Sequence, residues 1–317
     1  MRSPTMINQR SHQFGRYWRL AVLVAVVAGL TGFTSVRTNV LGASDRFDRL
    51  TARIEAFVDP PPDRPTLPTV VVTPRPSASP TAQAPPQPVA AAGGYAGAAD
   101  LPSRAPSPTP TPAPVRAPVD VAIVADHDAV FASQLTSEWC AVAGTQMVLA
   151  ILGLGDTSDA FQTEIAGRIG EWESWDDSHD GGWGPAAISN ALAAYGASGY
   201  EIRAYQSQAD ALRDSALALS TTGKPVVLMP WWGAHTWVMT GYRADADPTL
   251  FADATVSGLY ILDPWYPRVS TIWGPSDRPG NFEDAAEMQR NFIPWARLEG
   301  AYPERDGTFV VVLPTAP

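Results

Sequence analysis

Proline decides where this chain can fold. Of its 31 prolines, 18 fall between Pro60 and Pro118. Proline fixes φ and removes a backbone donor, so a run such as Pro106-Ser107-Pro108-Thr109-Pro110 fits neither a helix interior nor a central strand. Residues 59–120 contain one aromatic residue, Tyr95, and offer little apolar surface to bury. They read as a disordered, partly polyproline-II stalk, which at about 3.1 Å per residue reaches at most roughly 190 Å. A core has to come from residues 121–317, which are ample for one domain.

The segment before the stalk speaks of a membrane. Leu20–Val36 is 17 residues without a charge, preceded by Arg2, Arg10, Arg16 and Arg19 and by no acid. That bias keeps the N-terminus in the cytoplasm and sends the rest outward. Two readings stand for residues 1–43. One is a cytoplasmic tail with an uncleaved signal anchor at the short limit for a span, which makes the protein a single-pass cell-membrane protein with an extracytoplasmic C-terminal domain. The other is a signal peptide cut near Ala43 at Leu41-Gly42-Ala43, which makes it secreted. Residues 44–58 follow as a short amphipathic helix, with Phe47, Leu50, Ile54 and Phe57 on one stripe. Two heptads do not make a coiled coil, and no oligomeric state follows from them.

Charge splits the chain as proline does. Residues 1–120 carry a net +5 and residues 121–317 a net −15, with a single lysine, Lys224, in the latter. An acidic domain with so few cations excludes nucleic acid as a partner, because phosphate contacts need clustered Lys and Arg.

Cys140 is the one cysteine among 317 residues, so no intrachain disulfide is possible. It lies where a polar stretch, Ser133-Gln134-Leu135-Thr136-Ser137-Glu138, turns helical. Val142, Met147, Val148, Ile151 and Leu152 then recur at helical spacing, with Thr136 or Ser137 expected as N-cap. A thiol in the first turn of a helix meets backbone N–H groups and the positive end of the dipole, both of which favour thiolate. Gln134, six residues upstream, has an amide that can donate toward an oxyanion beside the sulfur. A buried, inert thiol is the plain alternative, so the rest of the chain has to supply a base.

After the cysteine helix, a loop rich in Trp and Asp spans residues 171–184. Asp176, Asp177 and Asp180 are candidate calcium ligands there, against an ordinary acidic loop, and their spacing fits no EF-hand. Helices are expected over 185–195 and 208–219, the second stopped by Gly223, and strands over 200–205, 225–230, 234–242, 258–264 and 308–313. Helices first and strands later suggest an α+β domain in two layers, with mostly antiparallel pairing. His127 and His179 sit among aspartates and read as exposed. His235 alone sits among apolar residues, opening a strand it shares with Trp237 and Met239. Asp263 ends the next strand and is held extended by Pro264. If the two strands pair antiparallel, the end of one lies beside the start of the other. Asp263 can then orient the His235 ring.

Cys140 as nucleophile, His235 as base and then acid, Asp263 as orienter and Gln134 as oxyanion donor form a complete set of roles. Together with Trp139-Cys140, the Gly233-Ala234-His235 strand running to Thr240-Gly241-Tyr242, and Leu262-Asp263-Pro264, they make residues 130–265 resemble the C39-like branch of papain-like cysteine peptidases. The resemblance implies a papain-like fold, with a helix carrying the nucleophile packed on an antiparallel sheet carrying His and Asp. It implies a peptide or amide substrate and no cofactor. Trp231, Trp232, Trp237 and Trp265 are candidates for the cleft wall. The chain departs from papain-type enzymes in placing Trp before the cysteine and Ala141 after it. It departs from exporter-fused C39 domains in carrying the domain at its C-terminal end with no P-loop motif. A non-catalytic binding module of the same fold and a Cys-dependent acyl transferase are the competing functions.

Overall fold

The structure, a computed structural model, describes residues 67–74, 114–172, 183–270, 274–297 and 302–315, all within one compact unit that begins at Arg64. The tail and apolar segment, the amphipathic stretch, most of the Pro-rich segment, and the Asp176–Asp180 loop with His179 lie outside the described residues. Among the described residues no helix is long and apolar enough to cross a membrane.

In chain order the main elements are β1 (Thr69–Val72), β2 (Val119–Ala122), α1 (His127–Val130), α2 (Cys140–Ile151), α3 (Asp159–Gly167), α4 (Ile169–Trp172), α5 (Pro185–Ala194), β3 (Tyr200–Tyr205), α6 (Gln208–Thr222) and β4 (Val226–Leu228). They continue with β5 (Trp237–Ala244), β6 (Val256–Leu262), β7 (Val269–Ser270), β8 (Gly274–Pro275), β9 (Asn281–Asp284), α7 (Ala285–Asn291) and β10 (Phe309–Pro314). The central sheet runs β1-β3-β10-β4-β5-β6-β9, with β2 also pairing with β5, and every pairing but β1 with β3 is antiparallel.

The expectation of two layers is corrected: helices cover both faces. Val227, Val238, Leu262, Val310 and Val312 face α2 and α5, where they meet Val142, Met147, Val148, Ile188 and Leu192. Val226, Leu228, Trp237, Met239, Val311 and Leu313 face α6, where they meet Ala211, Leu212, Ala216 and Leu219. The uninterrupted apolar runs of β4 and β10 carry this signal, since a strand wet on one side alternates and one buried on both does not. Each fully buried Val, Leu or Met contributes about 1.5–3 kcal/mol relative to exposure, so the sheet is the rigid element against which α2 is set.

The stalk reading is corrected in two places: its C-terminal end is part of the fold, with Val119 and Asp120 in β2 opposite Ala244 and Arg243 and Arg116 paired with Asp245 and Asp253, and an edge strand forms further upstream. Thr69–Val72, inside the Pro-rich segment, forms an edge strand, pairing Thr69 with Ile202 and Val72 with Tyr205. The run Thr69-Val70-Val71-Val72 is β-branched throughout, and such side chains suit a pleated surface. Beneath it the fully buried Arg305 donates from Nε to the Thr69 hydroxyl at 2.8 Å and lies over the Tyr302 ring.

A chain that begins at residue 76 therefore loses a strand and uncovers a buried guanidinium. A pure stalk there would leave thermal stability unchanged. The docked strand predicts a loss of about 2 kcal/mol or more, or roughly 4–8 °C in Tm, relative to a chain that begins at residue 64. Differential scanning calorimetry of the two chains measures it.

Candidate functional site

The site forms where the tip of α2 meets the adjacent ends of β5 and β6. Cys140 is the first residue of α2, as its spacing predicts. The N-cap is Trp139 rather than Thr136 or Ser137, and no side chain caps the helix. The Thr136 hydroxyl instead accepts from the Glu138 backbone N–H at 3.3 Å, and the Ser137 hydroxyl donates to the Glu138 carboxylate at 2.5 Å. The first-turn N–H groups beside the sulfur are thus left to an anion.

His235 does not open β5, as the sequence suggests; the strand begins at Trp237. His235 instead closes a turn, its N–H bonded to the Pro230 carbonyl at 3.3 Å. Within that turn Trp231 (φ 54°, ψ 56°) and Trp232 (φ 58°, ψ 26°) both have left-handed backbones. Such angles in a bulky residue cost of order 1–3 kcal/mol each and need firm support from the surroundings. Asp263 follows β6 directly. Because Val238 pairs with Leu262 in antiparallel register, it comes alongside His235, and its Oδ1 lies 2.7 Å from His235 Nε2. Both side chains are buried. The same oxygen accepts from the Trp265 backbone N–H at 2.8 Å, which fixes the carboxylate.

With Nε2 engaged by Asp263, Nδ1 is the nitrogen left to face sulfur, and the ring and the thiol are near enough for each to shift the other's titration. The Thr236 hydroxyl donates to Cys140 Sγ at 3.9 Å. Burial pushes the thiol up, but the His235 hydrogen bond and charge, Thr236 and the nearby Arg297 guanidinium outweigh it, and its pKa falls below the ordinary value. Burial pushes His235 down, but the charge and hydrogen bond of Asp263, then the thiol, outweigh it and raise the ring to about 9. The two shifts favour thiolate and imidazolium side by side.

Gln134 is buried beside this group, on a segment tied to the Asp263 strand end by its N–H bonding the Pro264 carbonyl at 2.8 Å. Its Nε2 donates to the Thr136 carbonyl at 2.7 Å, which sets the amide plane and leaves the second N–H of that nitrogen. Residues that no sequence motif marks hold this segment. Arg268 donates to the Gln134, Leu135 and Thr136 carbonyls at 2.8, 3.1 and 3.2 Å. Gln162 donates to the Ser133 carbonyl and accepts from the Leu135 N–H, and is itself bonded to Gln146 on α2. Their only sequence signals are an Arg shortly after Pro264 and glutamines inside apolar helices.

Of the candidate cleft tryptophans, Trp237 is buried in the α6 layer, Trp231 stacks on His235, and Trp232 stands 48 % exposed. His127, read as exposed, is half-buried, with Nε2 3.1 Å from the Thr240 hydroxyl. Its aspartate neighbours are exposed, and Asp126 caps α1 by accepting from the Ala129 N–H. Among the described residues no group of three or more His, Cys, Asp or Glu is placed to hold a metal ion.

Comparison with known proteins found one family and one solved structure. The Peptidase_C39 like family matches over residues 127–288, just over half of the chain. Among solved structures the chain is similar to a double glycine motif protease from an AMS/PCAT transporter, crystallised with the leader peptide. That likeness has 17 % identity and a TM-score of 0.31, and covers 58 % of this chain and 91 % of that one. No curated protein matches.

Gly144 tests how tightly the two halves of the site are pressed together. It lies one turn after Cys140 on the same face of α2, and a Cβ there would sit 2.6 Å from Thr236 Cγ2. In an open helix Gly→Ala stabilises by roughly 0.5–1 kcal/mol. Here Gly144→Ala is expected to cost about 1–3 kcal/mol by overpacking and to slow alkylation of Cys140, as read by thermal denaturation and iodoacetamide kinetics.

Proposed function

The chain belongs to the Peptidase_C39 like family, and from that premise we propose that it is a thiol hydrolase of peptide or amide bonds. Cys140 is the nucleophile, His235 the base and then the acid, Asp263 the orienter and Gln134 the oxyanion donor. The observation that carries the reading is the 2.7 Å contact of His235 Nε2 with Asp263 Oδ1 beside the cysteine helix tip, where Thr236, the residue after His235, donates to Cys140 Sγ at 3.9 Å.

In this mechanism the Cys140 thiolate attacks the carbonyl carbon, and a carbon–sulfur bond forms as the carbonyl oxygen takes the negative charge. The Cys140 backbone N–H at the uncapped helix tip and the second N–H of Gln134 receive that charge. The His235 imidazolium gives its proton to the departing amine as the carbon–nitrogen bond breaks, leaving an acyl-enzyme. Neutral His235 then takes a proton from water, the hydroxide displaces sulfur, and the acid leaves with the thiolate restored. Asp263 holds the ring in the tautomer that serves both steps and supports its cation throughout.

The basic N-terminus before Leu20–Val36 and the acidic domain support a domain working outside the cytoplasm. It would be held there by a retained anchor or released after cleavage.

The pH dependence follows from the two shifts. Falling pH protonates the thiolate below its lowered pKa, and rising pH removes the His235 proton at about 9. Iodoacetate, an anion drawn by the imidazolium, should therefore lose its advantage over neutral iodoacetamide as pH passes about 9. His235→Ala should slow labelling at pH 7 by about tenfold or more, because the thiol returns toward its free pKa of about 8.5. Cys140→Ala should not label at all. Equal labelling of wild type and His235→Ala refutes the pair.

A further inference from the structure

We propose that Trp231 is a positioning residue for His235: its indole, laid flat on the imidazole by a left-handed turn, holds the ring in line between Cys140 and Asp263 and favours its protonated form. This rests on the hydrolase reading above and adds to it a residue that none of the four roles includes.

The two rings lie 4.3 Å apart at 15°, face to face. Unlike most of the aromatic contacts in the domain, which meet edge to face, this one covers the imidazole. A ring under such a cover cannot tilt without separating from the indole. Any turn about its own axis also costs the 2.7 Å contact with Asp263. A π-face is moreover a better neighbour for imidazolium than for neutral imidazole.

The indole is itself fixed at three points. Its Nε1 donates to Asn291 Oδ1 on α7 at 3.2 Å, and Asn291 Nδ2 donates in turn to Glu287 at 3.4 Å. Its edge meets Trp237 at 6.4 Å and 69°. Its backbone is held by the Ala234 N–H on the Trp231 carbonyl at 3.0 Å and, one residue on, by the Ala296 N–H on the Trp232 carbonyl at 3.2 Å. Gly233, at φ +82°, presses against Trp295 so closely that a Cβ would lie 2.2 Å from the ring.

Packing alone gives no reason for a tryptophan here. Glycine adopts φ near +55° at no steric cost, whereas two successive tryptophans at such angles are outliers. The turn keeps the strained residue whose side chain reaches His235. The charged groups that face His235 are Asp263 from the end of β6 and Cys140 from α2. Arg297 acts on the sulfur from one layer further out. Trp231 supplies the remaining, uncharged face.

The test uses the full chain and needs no substrate. The ratio of iodoacetate to iodoacetamide alkylation of Cys140 is followed against pH in wild type, Trp231→Phe, Trp231→Leu, Trp231→Gly and Trp232→Gly, with circular dichroism to confirm folding. Trp231→Phe, which keeps a flat ring, should hold the alkaline limb near its wild-type position. Trp231→Leu and Trp231→Gly should move it down by about half to one pH unit; glycine relaxes the turn, so at least one of these two folds. Trp232→Gly relaxes the neighbouring strain with the stacked ring in place and should leave the limb where it is. A wild-type limb in the Leu or Gly variant, or an equal shift in Trp231→Phe or Trp232→Gly, overturns the proposal. Absence of any alkaline limb in wild type would instead overturn the Cys140–His235 pairing itself.

Discussion

One register governs the site. With Val238 opposite Leu262, the residue that follows β6 falls beside the turn that feeds β5, and Asp263 reaches His235 at 2.7 Å. A slip of one residue would send every side chain of β6 to the other face. It would put Leu262 where the carboxylate stands. That register is hard to slip, because Leu259 and Ile261 are buried in the α6 layer and Leu262 in the α2 layer. The apolar core on both faces therefore sets the geometry of a polar contact at the sheet's end.

The second half of the site, α2, is brought to that sheet end by close approach. Gly144 lets the helix settle on Thr236, and Thr236 then reaches the sulfur one turn back. Buried, charged His235 and Asp263 and a half-buried Cys140 thiolate would each be costly alone. Together they offset one another's burial, which is why the thiol falls and the imidazole rises despite their desolvation. Around them Arg268 and the Gln146–Gln162 pair hold the Gln134 segment by its backbone, together with the bond from the Gln134 amide to the Thr136 carbonyl.

Much of the fold and of the site is legible in the amino-acid sequence. Val142, Met147, Val148, Ile151 and Leu152 draw α2, and alternation with Gly/Pro punctuation draws β3, β5 and β6. Residue type and local setting single out Cys140, His235, Asp263 and Gln134. What stays hidden has physical causes. The edge strand Thr69–Val72 is four residues of β propensity in a Pro-rich background, and only its pairing with β3 distinguishes it from stalk. The third layer escapes a reading that assigns helices following one another in sequence to one face. The unbroken apolar runs of β4 and β10 argue instead for burial on both. The left-handed Trp231–Trp232 turn leaves no trace, since no propensity places two tryptophans at positive φ; tertiary contacts with Trp295, Ala296 and Asn291 impose it.

The central claim is that His235 carries a proton at neutral pH because a carboxylate and a thiolate flank it. The direct measurement is an NMR titration of the His235 ring nitrogens in the free protein and in the protein with Cys140 S-methylated. The account predicts an imidazolium in the free protein that titrates near 9 and falls once the sulfur can no longer be charged. A ring that titrates near the ordinary histidine value of about 6.5, unchanged by methylation, would contradict it.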